Sequence, residues 1–181
     1  IEVVNFNTLS EEAIEFALEN NLTMVGTSDV HKLTLWDFDI PQGGHRPMTF
    51  VLSKNNSPEE IKKSLFEGET VVWFKEMMIG KEKCLKDLIK ANLTASSPNY
   101  KGDELIGKVV LKNHSANTLH LKYTGPYTFH KDGVIFKIDP YAEKSIDIKT
   151  LEIKSNLELP FELLNGIIGL KKYLNFKIIT D

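Results

Sequence analysis

The stretch Leu22-Thr23-Met24-Val25-Gly26-Thr27-Ser28-Asp29-Val30-His31 decides how this chain is read. Leu22 to Val25 is a short apolar run closed by Gly26, the pattern of a buried strand. Asp29 and His31 then stand two apart at its C-terminal end. An extended backbone there would turn both side chains to one side. A carboxylate and an imidazole held together are donors suited to zinc, manganese or iron. The competing reading is a plain turn, with Asp29 accepting hydrogen bonds from nearby backbone amides.

Working outward, Ile1-Glu2-Val3-Val4-Asn5 reads as a strand. Thr8-Leu9-Ser10-Glu11 has the spacing of a capping box, with Thr8 as N-cap. Ile14, Ala17 and Leu18 follow at helical spacing, and Asn20-Asn21 can end that helix. Met48 to Leu52 reads as another strand. Ser57-Pro58-Glu59-Glu60 is a helix start with Pro at the first helical position, and Gly68 stands where that helix should stop. Thr70 to Phe74 is again a strand. Lys81 to Asn92 is a helix with Leu85, Leu88 and Ile89 inward, while Met77-Met78 reads as core packing. Alternating strands and helices point to a parallel α/β sheet or barrel.

The pattern changes near residue 95. Ala95-Ser96-Ser97-Pro98-Asn99-Tyr100-Lys101-Gly102 is rich in turn formers and reads as a linker. Beyond it, Val109–Leu111, Thr118–Leu121, Val134–Ile138, Ser145–Ile148, Leu159–Leu163 and Leu174–Ile178 read as short strands. Gly125-Pro126, Asp132-Gly133 and Asp139-Pro140 supply turns between them. Regular short strands of this kind indicate an antiparallel sandwich. The expected division is therefore an α/β segment over 1–94, a linker over 95–104 and a β-sandwich over 105–181. Residues 1–100 carry 10 basic and 15 acidic side chains, and residues 101–181 carry 12 and 10. The two parts thus differ in sign, which supports two units.

Composition closes off several classes. With 181 residues, 41% hydrophobic and 26% charged, the chain is neither disordered nor a rod. No apolar run is long enough to span a membrane. Cys84 is the single cysteine, so no internal disulfide forms. A net charge of −3 argues against nonspecific nucleic-acid binding. The first residue is Ile, so the expectation is a piece whose true N-terminus lies upstream. Cytoplasm and periplasm both stay open, as does the oligomeric state.

Other residues invite weighing. Gly43-Gly44 before His45-Arg46 permits close backbone approach to a ligand. Arg46 can hold a phosphate bidentately, and His45 can donate to it or act as general acid. Alternatively, Arg46 pairs with Asp37 or Asp39 on a loop. Trp36 reads as rim packing, Asn5 as a helix cap, and Lys32 as a solvated lysine. His114, His120 and His130 have no ligand spacing. Cys84 reads as a buried small hydrophobe.

Gly26-Thr27-Ser28-Asp29-Val30-His31 resembles the last metal-binding motif of the PHP (polymerase and histidinol phosphatase) superfamily. Ile1–Asn5 with its helix resembles the preceding βα unit of such domains. The run from Trp36-Asp37 through Gly44-His45-Arg46-Pro47 to Trp73-Phe74 is similar to a PHP phosphoesterase subgroup with an added C-terminal β domain. The resemblance implies the C-terminal part of a distorted, TIM-like (βα)7 barrel followed by a small antiparallel β-sandwich. It implies a di- or trinuclear centre of zinc, manganese or iron and hydrolysis of a small phosphate ester, mono- or diester. Asp29 and His31 would then be metal ligands, with Arg46 and His45 as catalytic residues. The superfamily's other ligands, an N-terminal His-X-His, a Glu and further histidines, are not in this sequence, so this piece alone should be inactive. The rival expectation is a noncatalytic binding module, with the α/β segment as scaffold and the sandwich contacting a partner. A carbohydrate-binding accessory domain would need an exposed aromatic row, and Tyr123, Tyr127 and Phe129 are too few.

Overall fold

A computed structural model describes residues 1–181. The chain forms two compact units, Ile1–Leu85 with Gly166–Tyr173 and Lys86–Asn165 with Leu174–Asp181.

In the first unit, β1 (Glu2–Asn5) pairs antiparallel with β2 (Thr8–Leu9). Helix α1 (Glu11–Glu19) then leads to β3 (Val25–Thr27), which lies parallel to β1. Ser10 rather than Thr8 caps α1, its hydroxyl accepting from the Ala13 amide at 3.1 Å. Thr8 is occupied in β2, so the cap moves two residues on. Ile14 and Ala17 on α1 pack onto Val3, Val4 and Met24. Next come α2 (Thr34–Phe38), a 3-10 turn (Ile40–Gln42) and β4 (Met48–Val51). Helix α3 (Pro58–Glu67) starts at Ser57, which accepts from the Glu60 amide, and stops at Gly68 with φ +72°. Strands β5 (Thr70–Phe74) and β6 (Met77–Gly80) follow, then helix α4 (Glu82–Asn92). β5 lies antiparallel to both β4 and β6.

Gly26 joins β3 to the rest of this unit. A Cβ at that position would collide with the Val72 side chain of β5. The Thr49 hydroxyl of β4 accepts from the Gly26 amide at 2.9 Å and donates to its carbonyl at 3.0 Å. The end of β3, from which the Asp29–His31 loop springs, is therefore tightly placed.

The second unit is built of strands: β7 (Leu93–Ala95), β8 (Asn99–Tyr100), β9 (Ile106–Asn113), β10 (Leu119–Tyr123), β11 (Thr128–Phe129), β12 (Ile135–Ile138), β13 (Glu143–Lys149), and the parts of β14 (Glu158–Gly169) and β15 (Lys172–Ile179) outside Gly166–Tyr173. One sheet runs β11-β13-β9-β7, with β8 also on β9. The other places β10 between β12 and β14, with β15 also on β14. Burial alternates along β9, with Val109 and Leu111 fully buried. Phe161 has no exposed surface, and its ring meets those of Tyr123, Phe136 and Phe176 at centroid distances of 5.5, 6.1 and 6.0 Å. Two buried asparagines hold the loops. Asn113 donates to the Asn117, Ile138 and Asp139 carbonyls and accepts from the Ser115 amide and hydroxyl. Asn165 donates to the Thr118 carbonyl at 2.8 Å and accepts from the His120 amide at 3.1 Å.

The expected (βα)7 barrel is corrected by this arrangement, and no TIM-like barrel is seen. The chain has four α-helices, one of them only five residues long, and has more strand than helix. A barrel needs each strand to return parallel through a crossover of a dozen or more residues. Here β5 and β6 are joined by Lys75-Glu76 alone, with Lys75 in the left-handed region at φ +54°. That tight turn forces antiparallel pairing.

Candidate functional site

β3 ends at Thr27, and Asp29 lies just past it at φ +46°, a left-handed conformation that Asp tolerates better than most residues. The backbone there is therefore not extended, yet the two side chains still meet. His31 Nε2 lies 3.2 Å from Asp29 Oδ1, with the side chains 83% and 53% exposed. The left-handed turn brings the imidazole back onto the carboxylate, where an extended chain would only have set them side by side. Lys32 and Trp36 beside this pair are exposed, Trp36 by 67%. Trp36 therefore does not pack on a rim. Asn5 donates to the Glu2 carboxylate instead of capping α1.

His45 and Arg46 are not joined to the Asp29–His31 pair by any hydrogen bond or ion pair. Both ring nitrogens of His45 face backbone carbonyls, of Arg46 at 2.8 Å and of Lys75 at 2.9 Å. No ring nitrogen is left over for a phosphate in this arrangement. The ring also stacks on Trp73, centroids 4.0 Å apart, and Trp73 in turn stacks on Phe50. Trp73 Nε1 is buried without an acceptor. Arg46 is exposed and makes no ion pair with Asp37 or Asp39, so its guanidinium is open to an anion. Sequence reasoning did not find the His45–Trp73 stack. Its only trace is His45-Arg46 set between Gly44 and Pro47, which fixes a loop without naming its partner.

The donor set tests the implied metal centre. A catalytic zinc takes three protein ligands and a structural one four. Asp29 and His31 are two, and nowhere in the chain do three or more His, Cys, Asp or Glu side chains gather as a metal site. The residues of this chain alone do not fit a di- or trinuclear centre. Cys84 is no substitute. It is buried, its thiol lies 3.7 Å from the Gly68 carbonyl, and burial raises its pKa above the ordinary thiol value. A thiol kept protonated is neither nucleophile nor ligand.

With two compact units and a sandwich in the second, comparison with known proteins becomes informative. Residues 93–179 match an Ig-like domain family. Nearly all of the second unit thus has a family counterpart. Comparison with curated proteins gives no match. Among solved structures, the chain is similar to a two-domain protein of Bacteroides vulgatus that contains a predicted PHP-like metal-dependent phosphoesterase. The identity is 28%, the TM-score 0.86, and the match covers 99% of this chain and 52% of that one. The chain therefore spans about half the length of that structural relative. No helix is long and apolar enough to cross a membrane.

Proposed function

We propose that this chain acts as a noncatalytic binding module, with residues 1–94 as an α/β scaffold and the β-sandwich of 105–181 recognising a partner. One observation carries this reading: the Asp29–His31 pair has no third ligand, whereas residues 93–179 match an Ig-like domain with a buried core. Fold alone does not assign a partner, so the argument rests on what each unit lacks or holds. The test uses the 181-residue chain with zinc or manganese supplied. It should bind either metal weakly and leave bis(p-nitrophenyl) phosphate and p-nitrophenyl phosphate intact. Turnover that disappears in Asp29→Ala would overturn the reading.

A second reading is favoured by the half-length match to the PHP-like relative. Within a longer chain that supplies further histidines and a carboxylate, Asp29 and His31 would complete a divalent-metal centre. A metal there would activate water and polarise a phosphoryl oxygen. The unpaired Arg46 guanidinium would hold a phosphate ester bidentately. Asp29→Ala in such a protein should then abolish metal content and phosphoesterase activity together.

A further inference from the structure

His45 stands apart from the Asp29–His31 pair, and its ring is fastened on both sides. Nδ1 lies 2.8 Å from the Arg46 carbonyl oxygen, within its own loop. Nε2 lies 2.9 Å from the Lys75 carbonyl oxygen, 30 residues on in the β5–β6 turn. Carbonyl oxygens only accept hydrogen bonds. A neutral imidazole has one N–H and one bare lone pair, so it can serve only one of two acceptors. Acceptors at hydrogen-bond distance from both nitrogens therefore call for two N–H groups, which is the imidazolium. Stacking on Trp73, with centroids 4.0 Å apart, favours the same form, because an indole face attracts a cation.

The charged groups on the elements around the ring are few. β4 and β5 carry no titratable side chain. The turn brings Lys75 and Glu76, and the loop brings Arg46, with Asp37 and Asp39 upstream of it. By sign, Lys75 and Arg46 oppose a positive ring and the three carboxylates favour it. The Lys75 ammonium lies over the Phe74 ring, 4.9 Å from its centroid. Phe74 and Trp73 are successive strand residues and point to opposite faces, so that ammonium is drawn away from the stack. The loop itself is closely built. Gly43 has φ +87°, and the Gly44 amide donates to the Asp39 carbonyl at 3.2 Å. The bond from Nε2 joins this loop to the turn.

We propose that His45 is a proton-operated latch. As imidazolium it holds the 43–47 loop to the β5–β6 turn. When it gives a proton to solvent, which its half-buried ring can reach, one carbonyl is left facing a lone pair and the loop is released. Arg46 rides on the latched segment, since its own carbonyl is one of the two acceptors. The placement of its open guanidinium therefore follows the protonation of its neighbour.

The test is NMR on the full chain, with ¹⁵N in the histidine rings and the backbone, titrated from about pH 5 to about pH 9 to span the histidine range. At the acidic end both His45 ring nitrogens should carry protons. As pH rises, the ring nitrogens, the Trp73 indole proton and the Gly44 amide should shift together with one midpoint. Gly44 amide exchange, corrected for its intrinsic rise with pH, should quicken about tenfold across that step, the loss expected for one charge-assisted hydrogen bond. His45→Gln has no ring to protonate and should show fast Gly44 exchange at every pH, with no midpoint. Should that variant fold poorly, the titration of the parent decides alone. A ring that is neutral while the loop is closed overturns the proposal. So does a ring that titrates without moving Trp73 and Gly44, or one that stays doubly protonated until the chain unfolds.

Discussion

The loop after β3 and the interior of the Ig-like unit put polar groups to opposite uses. Asp29 and His31 face each other in open solvent, where a 3.2 Å contact between two exposed groups contributes little. Asn113 and Asn165 are buried, and their side-chain amides bond to backbone carbonyls and amides around them. Buried polar groups with every partner in place specify a fold, because losing one partner strands the rest. Exposed groups held in a strained turn do not repay that cost through stability. The difference teaches that the asparagines serve the stability of the chain itself, whereas the Asp29–His31 contact adds little to it.

The largest effect should come from the interior. Phe161→Ala should cost about 3–5 kcal/mol, the usual price of emptying an aromatic core site. Urea unfolding with amide exchange on β9 and β13 would measure it, and a loss under 1 kcal/mol would break the contrast. Gly26→Ala should cost about 1–3 kcal/mol, because the new methyl collides with Val72. It should also loosen the Asp29–His31 loop, visible as His31 line broadening in NMR. Ser57→Ala should cost about 1 kcal/mol through loss of the α3 cap. His31→Ala should change stability by no more than about 0.5 kcal/mol, since the ring is exposed. A large destabilisation there would show that the pair is structural after all.

A pH effect sharpens the same comparison. Burial raises the Cys84 pKa in the folded chain, so the native state holds that proton more tightly than the unfolded one. Stability from this source is complete below the ordinary thiol pKa and is lost as pH rises through the raised folded value. Denaturation midpoints should therefore fall on the alkaline side and fall less in Cys84→Ala. An equal alkaline fall in both proteins would remove Cys84 from the explanation.

Much of the fold was legible where the signal is local. The Ser57-Pro58 start and Gly68 stop of α3 follow from orphan amides and a left-handed stop, and both are found. The alternation after residue 105 gave strands because period two is visible without knowing the partner strand. Pairing direction was not legible. Met77-Met78 read as core, yet it opens β6, and its short link from Phe74 decides against a barrel. The Asp29–His31 pair was legible from spacing, though the left-handed backbone that makes the contact was not.

Asn165 is followed in sequence by Gly166, and that pairing has a chemical sequel. In a loose chain the glycine nitrogen attacks such a side-chain amide readily, expelling ammonia and leaving a succinimide that opens to an acid. Here the amide is tied to Thr118 and His120, and Gly166 is held in strand register with Met78. Ageing should therefore proceed only from molecules that have opened. Each conversion would set a carboxylate against the Thr118 carbonyl and hinder the way back, so damage would record how often the chain has come apart.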